Sequence, residues 1–341
     1  MESNRKELLV SVLMCVYNED SQFLRDAIES VLNQTFKDFE FVIIGDNPTN
    51  EWVNSIIKSY QEKDDRIKFK INETNIGLTR SLNVGLQLCR GKYIVRMDAD
   101  DMSLPERIAE QVAFMEAHPA ITAAGSNAYG IDENNNPIGN VVVLQDPDVI
   151  RRELLFRCPV VHPSTIIRRM WQNKPFEYNE SYRYSQDYAL WVSIFEMGGQ
   201  VSNLNKYLLK YRYSSKQIHS AHGEEQKACA ILISHNALEM MGIQMAQDDL
   251  SKWDKIRGSQ TILHNEIKEF LGFVIRFYTN NTQIKDLDII VQTLIITFLQ
   301  KAGMRGLKFF KSYLYLSAKT KSLTIRRVLS TSHLIVNGIS K

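Results

Sequence analysis

The sequence predicts an α/β fold, a wound and mostly parallel sheet followed by a helical region. Apolar, β-branched runs alternate with amphipathic helical stretches over the first hundred residues, the pattern of strands covered on both faces by helices. Polar and acidic residues collect where those runs end, and beyond about residue 223 the pattern is purely helical.

Leu8 to Val16 is near-continuously apolar and opens the sheet. Phe23 to Leu32 follows with helical spacing of Phe23, Ala27, Ile28 and Val31, and Phe39 to Ile44 is the second strand. Trp52 to Tyr60 predicts an amphipathic helix with Trp52, Ile56 and Ser59 on one side. Ile67 to Ile71 alternates as a strand, Thr79 to Leu88 is helical, and Tyr93 starts the fourth strand. Past Pro105 a helix carries Ile108, Val112 and Met115 and stops near His118-Pro119. Strands are expected at Ile121 to Ala124 and Val141 to Leu144, on either side of the turn-rich Asp132 to Pro137. His162-Pro163-Ser164 precedes the apolar Thr165-Ile166-Ile167, and Ser185 to Trp191 opens a further helix.

With 341 residues the chain has room for about two domains, or one with an appendage. Its 44% hydrophobic and 23% charged content excludes a disordered chain. Cys15, Cys89, Cys158 and Cys229 are far apart with no metal-ligand spacing, which points to a reduced, cytoplasmic setting. Met1 to Glu7 lacks the apolar core of a signal peptide. The most apolar stretch, Leu287 to Leu299, contains Asp288 and Gln292 and is too short to span a bilayer. The net charge of +2 conceals an asymmetry, because residues 301–341 carry nine Lys or Arg and no Asp or Glu. Aromatic and aliphatic residues interleave with those charges from Leu307 to Leu316. That combination fits peripheral contact with an anionic membrane, against the plainer reading of a helix with a basic outer face. No nucleic-acid-binding motif accompanies it, so no nucleic-acid partner is expected.

The most informative stretch is Tyr93 to Asp101, where a buried strand empties into Asp98, Asp100 and Asp101. Carboxylates this close raise one another's pKa, and they stay ionised together when a divalent ion or cationic ligand lies between them. Open α/β sheets also bind ligands beyond the carboxyl ends of their strands. The competing reading is a solvated turn in which Asp100 or Asp101 caps the helix near Leu104-Pro105-Glu106. The cluster lacks Cys and His, so a hard cation with oxygen ligands is expected rather than zinc.

Five motifs then fall in order. Val16-Tyr17-Asn18-Glu19 follows the first strand, Asp46 the second, and Asn75-x-Gly77 with Asn83-x-Gly85 lies around the third. Asp98-Ala99-Asp100-Asp101 follows the fourth strand, and Gln186-Asp187-Tyr188-x-Leu190-Trp191 comes later. Over roughly residues 8–220 the chain resembles family 2 glycosyltransferases with the GT-A fold. The resemblance implies inverting transfer of a sugar from a nucleotide diphosphate donor, a UDP-hexose or UDP-N-acetylhexosamine, with Mn²⁺ or Mg²⁺. It also implies a nucleotide-binding half at 1–105, an acceptor-binding half at 106–222 and a helical, basic region at 223–341.

By that resemblance Val16, Tyr17, Asn18, Glu19, Asp46, Gly77, Arg80, Asp98 and Ala99 form the nucleotide site. The Tyr17 ring offers a face to a pyrimidine, a stacking worth about 1–3 kcal/mol, or else is a half-buried strand-end tyrosine. Asp46 matches the carboxylate that accepts from the pyrimidine N3–H, with an Asx turn before Asn47-Pro48 as its competing role. Gly77 permits close backbone approach, and Arg80 supplies charge to the diphosphate, although many relatives carry that arginine where this chain has Leu82. Asp100 is the first choice of metal ligand, Asp98 binds the ribose or reaches the ion through water, and Asp101 is mainly a helix cap. Asp187 matches the family's base, which takes the proton of the acceptor hydroxyl; a carboxylate favoured by the helix dipole is its alternative. His162, Gln186 and Trp191 are acceptor-side candidates, Trp191 as a platform or as core filling. His219, or its neighbour His222, is a candidate for a further metal ligand. For His162 and His219 a structural or exposed histidine is the plainer reading.

The expected activity is addition of a single sugar to a lipid-linked glycan acceptor at the inner face of the cytoplasmic membrane. No spanning helix and no Gln-x-x-Arg-Trp motif signals a processive synthase. A sugar-nucleotide nucleotidyltransferase would need a Gly-rich, basic loop where Tyr17-Asn18-Glu19-Asp20 is acidic. A non-catalytic scaffold is the other alternative, and the joint presence of Asp98, Asp100 and Asp187 argues against it.

Overall fold

β1 (Val10–Val16) and β2 (Phe39–Gly45) are buried almost throughout, as apolar runs covered on both faces must be. The computed structural model describes residues 8–214, 223–258, 262–263 and 266–302. β3 (Ile67–Ile71) alternates between buried and more exposed residues because it is the edge of the sheet. α1 (Ser21–Leu32) starts where Asp20 accepts the backbone N–H of Gln22 at 2.8 Å, and α2 (Glu51–Gln61) where Asn50 accepts that of Val53 at 3.1 Å. Both pack on one face of the sheet through Leu24, Ala27, Ile28, Val53, Ile56 and Ile57. Trp52 does not join that stripe: it is 65% exposed and donates its indole N–H to Ser21. Val53 and Ile57 take its place on the apolar side.

α3 (Leu78–Leu88) packs against β1 and β2 so closely that a methyl on Gly85 would meet Leu13 at 2.2 Å. β4 (Tyr93–Asp98) then inserts beside β1, giving the parallel order β3-β2-β1-β4. The strand order therefore reverses between β1 and β4, the kind of switch point at which open α/β sheets bind ligands beyond the carboxyl ends of their strands.

The sheet continues as β8-β6-β11-β5 and becomes mixed. In chain order these elements are β5 (Met102–Ser103), α4 (Arg107–Ala117), β6 (Ala123–Ile131), β7 (Pro137–Val141), α5 (Pro147–Glu153), a 3₁₀ turn at His162–Ser164 and β8 (Ile166–Arg168). The small ribbon of β9 (Met170–Trp171) and β10 (Lys174–Pro175), then α6 (Gln186–Glu196) and β11 (Val201–Arg212), complete it. β8 runs antiparallel to β4 and β6, whereas β11 is parallel to β6 and pairs antiparallel with β5. β6 extends well beyond the expected Ile121 to Ala124, and β7 lies before the expected Val141 to Leu144. β7 is an outer strand with exposed residues, so apolarity does not mark it. α5 and β11 carry no expectation from the sequence; β11 has two register shifts that break its alternation.

The chain divides into two compact units, Met1–Ile233 and Ser234–Lys341, so residues 105 and 106 fall inside one unit. α7 (Gly223–Met240) runs across the division and is followed by α8 (Gln247–Arg257), α9 (Ile267–Asn280) and α10 (Leu287–Lys301). Within the second unit Trp253 stacks on Phe277 and Phe270 on Phe298, with ring centroids 6.0 and 5.6 Å apart. Ile290, Val291, Leu294 and Ile295 of α10 are fully buried. Among the described residues no helix is long and apolar enough to cross a membrane. Residues 303–341, most of the basic tail, lie outside the described residues.

Gly91, between α3 and β4, leaves no room for a side chain, since a Cβ there would lie 2.5 Å from the backbone nitrogen of Ser11. Gly91→Ala should lower stability by about 1–3 kcal/mol in urea unfolding, while Gly223→Ala, where nothing lies within 4 Å, should change little.

Candidate active site

The loops beyond β1 and β2 are tied to each other before any ligand is considered. The carbonyl of Val16 accepts the backbone N–H of Asp46 at 2.8 Å, and Asn18 Oδ1 accepts from Asn47 Nδ2 and Asn50 Nδ2 at 2.7 and 3.0 Å. Tyr17 is left 45% exposed, with its backbone N–H on Glu19 Oε2 at 2.7 Å. Asp46 is buried and accepts from Asn72 Nδ2 and the backbone N–H of Ile76 on Oδ1, and from Gly77 N on Oδ2, at 2.8 to 3.0 Å. The Asx turn at this point belongs to Asn47, which accepts from Thr49 N; Asp46 instead holds the loop that starts α3. Gly77 has φ +85° and open space around it, so backbone conformation rather than crowding selects glycine. Arg80 is largely exposed and pairs with Glu180 at 3.2 Å.

At the end of β4, ligand atoms of Asp98, Asp100 and Asp101 lie within 4.8 Å of one another. Three buried arginines surround them. Arg96, two residues before Asp98 and on the same face of the strand, ion-pairs with Asp98, while its Nε and Nη1 have no hydrogen-bond partner among the described residues. Arg212, at the end of β11, donates its backbone N–H to Asp101 Oδ1 at 2.8 Å, its Nε to the Asp100 carbonyl at 2.7 Å and its Nη1 to the Asp132 carbonyl at 3.0 Å. Arg107 is fully buried and spends its donors on the Arg96 carbonyl, Ser103 and Gln111; burial pushes it down to about 9. Asp101 is therefore not a helix cap. α4 starts after Glu106 without a side-chain cap, and Asp101 is fully buried, linking β4 to β11. Burial, then the charges of Asp100 and Asp98, push its carboxyl well above the usual range, and its Oδ2 has no hydrogen-bond partner among the described residues. An orphaned carboxylate oxygen beside two further carboxylates fits a hard divalent cation. Cys15, alongside Asp98 in the β1–β4 register, is kept a neutral thiol by burial and adds no soft ligand.

Asp187 lies in the first turn of α6, after Ser185 in the left-handed region with φ +58°. Burial pushes its carboxyl upward, opposed by the Tyr188 backbone N–H and by Arg96. Cys158 Sγ lies 3.7 Å from Asp187 Oδ2. Gln186 is buried beside it. Trp191 is fully buried with its ring edge toward His162, so it fills the core and has no face for an acceptor. His162 is buried, meets Tyr178 Oη through Nε2 at 2.7 Å, and is kept neutral by burial. His219 and His222 lie outside the described residues. Arg96, Cys158, Tyr178 and Arg212 escaped the sequence reading, and only Arg96 left a signal there, a charge inside an apolar strand.

The fold is that of the GT-A glycosyltransferases. The chain belongs to glycosyl transferase family 2, whose model matches residues 11–170. It is 38% identical over 224 residues to an uncharacterized glycosyltransferase of Methanocaldococcus jannaschii, covering 64% of this chain and 76% of that one. It is 28% identical over 207 residues to the UDP-Gal:alpha-D-GlcNAc-diphosphoundecaprenol beta-1,3-galactosyltransferase of Escherichia coli, covering 60% and 74%. The structure of S. aureus TarS 1–349 in complex with UDP-GlcNAc matches with a TM-score of 0.59 at 17% identity, over 92% of this chain and 91% of that one.

Glu19 faces the acid cluster, and burial, then the charges of Asp100 and Asp98, push its carboxyl up to about 7. A carboxyl with a raised folded-state pKa favours folding where the native protein holds the extra proton and loses that contribution as pH rises through about 7. Without added metal, Glu19→Gln should raise the melting temperature by about 2–4 °C at pH 8 and leave it near wild type at pH 5.

Proposed function

We propose that this chain is an inverting, metal-dependent hexosyltransferase. It adds one sugar from a UDP-hexose or UDP-N-acetylhexosamine to a hydroxyl of a lipid-linked glycan in surface polysaccharide synthesis. The observation that carries this reading is a pair of carboxylate sites of different character around one buried cation. Arg96 ion-pairs with Asp98 of the acid cluster and opposes the burial that pushes up the carboxyl of Asp187, held apart at the start of α6.

Donor binding is assigned to residues 1–105 and acceptor binding to 106–222. Tyr17 stacks on the uracil, Asp46 Oδ2 has a lone pair left for its N3–H, and Arg80 exchanges Glu180 for the diphosphate. Asp100 and Asp98 would hold Mn²⁺ or Mg²⁺, joined by His219 on the resemblance alone, and such an ion would supply positive charge against the departing diphosphate. Asp187 accepts the acceptor hydroxyl proton as that oxygen bonds to C1; the C1–O bond to the diphosphate breaks on the opposite side, its electron pair leaving with the diphosphate. Burial makes Asp187 a stronger base than an exposed carboxylate. UDP in the names of the Escherichia coli relative and the TarS complex supports the donor, and the diphosphoundecaprenol in the former supports a lipid-linked acceptor. The +9 charge of residues 301–341 supports work at the inner face of the cytoplasmic membrane.

Two variants separate the roles. Asp187→Asn should lower sugar transfer by about 10²–10⁴-fold while keeping the thermal shift produced by UDP with Mn²⁺. Asp100→Ala should lose that shift as well. Wild-type protein showing no Mn²⁺-dependent nucleotide binding would favour the non-catalytic scaffold. Deleting residues 303–341 should reduce co-sedimentation with anionic vesicles and leave donor hydrolysis nearly unchanged; unaltered sedimentation rules out the tail as the contact.

A further inference from the structure

Accepting Asp187 as the base, we propose that Cys158 is a positioning residue for it: its thiol donates to Oδ2 and fixes the rotation of the carboxylate that receives the acceptor proton. Cys158 lies between α5 and the 3₁₀ turn at His162–Ser164, on a segment independent of α6. Its Sγ is 3.7 Å from Asp187 Oδ2 and 3.6 Å from the Val160 carbonyl. One S–H proton serves one acceptor at a time, and an ionised carboxylate is the stronger of the two. Burial, then the charge of Asp187, keeps the thiol protonated, so it remains a donor.

The start of α6 needs such a tie. Ser185 occupies the N-cap position in a left-handed conformation and makes no capping hydrogen bond from its side chain. Among the described residues, Cys158 is the side chain hydrogen-bonded to Asp187; the backbone N–H groups of Tyr188 and Asp187 complete its surroundings. The other charged or titratable groups facing it are Arg96 from β4 and Tyr178 from the segment before α6, with neutral His162 in contact with Tyr178. A thiol is a weak, neutral donor. It orients the carboxylate while withdrawing little of its basicity, which a cationic donor would withdraw.

The test compares Cys158→Ala and Cys158→Ser with wild type in full pH profiles of transfer. Losing the donor removes a stabiliser of the ionised carboxylate, so the acid limb of kcat in Cys158→Ala should move to higher pH by about half a unit. Its kcat should fall about tenfold with the donor KM within about twofold of wild type. Cys158→Ser, which keeps a donor on a shorter stem, should lie between the two. The UDP–Mn²⁺ thermal shift reports that each variant is folded. Wild-type kcat and acid limb in Cys158→Ala, or equal losses in both variants without a limb shift, would overturn the inference. Asp187→Asn separates the premise: retained transfer there removes the base reading, whereas lost transfer with a wild-type Cys158→Ala overturns only the role of the thiol.

Discussion

The end of β4 depends on balancing three carboxylates, Asp101 fully buried and Asp98 and Asp100 half-buried, against three buried guanidinium groups. Asp98, Asp100 and Asp101 would repel one another, and Arg96, Arg107 and Arg212 would each be costly to bury alone. Arg96 meets Asp98 directly, Arg212 binds the backbone of Asp100 and the carboxylate of Asp101, and Arg107 sits behind them on carbonyl and side-chain oxygens. The three arginines come from β4, α4 and β11, so the charge balance exists only when both halves of the sheet are assembled.

This balance ties fold to chemistry. Asp101 lies between β4 and β5, and β5 pairs with β11 at the far end of the sheet order, so the acid cluster bridges a curled sheet. The buried Oδ2 of Asp101 and the unpartnered Nε and Nη1 of Arg96 are the polar groups that this packing leaves unsatisfied. Unsatisfied groups of this kind cost about 1–3 kcal/mol each and are tolerated where function requires them. The loops beyond β1 and β2, the proposed donor side, are built differently and lock one another through Asp46, Asn18 and Gly77. A rigid, pre-tied loop loses less entropy when a nucleotide settles on it.

Most of the first half of the sheet was legible because its strands are apolar on both faces and its helices have clean stripes. Trp52 misled because size and spacing suggested burial, yet Val53 and Ile57 formed the stripe and left the indole outside. Asp101 misled for a related reason: an acid before Pro105 has the local look of a cap, and only β11 shows what its carboxylate binds. β11 itself was illegible, since register shifts and polar residues at its middle conceal the alternation. Trp191 stood four residues from Asp187 as a plausible platform, but the helix turns its ring inward against His162.

Asp46, Gly77 and Asp187 entered as candidates through the family resemblance; by itself the sequence determined the α/β class, the order of strands and helices up to β4, and the clustering of Asp98, Asp100 and Asp101 at the end of that strand. These follow from local periodicity and from residue types whose chemistry does not depend on distant partners. Tertiary structure alone decided which charges neutralise one another, that Asp101 is an interior strut, and that Cys158 reaches Asp187. The last two rest on contacts across 29 and 111 positions of chain, for which local pattern carries no signal.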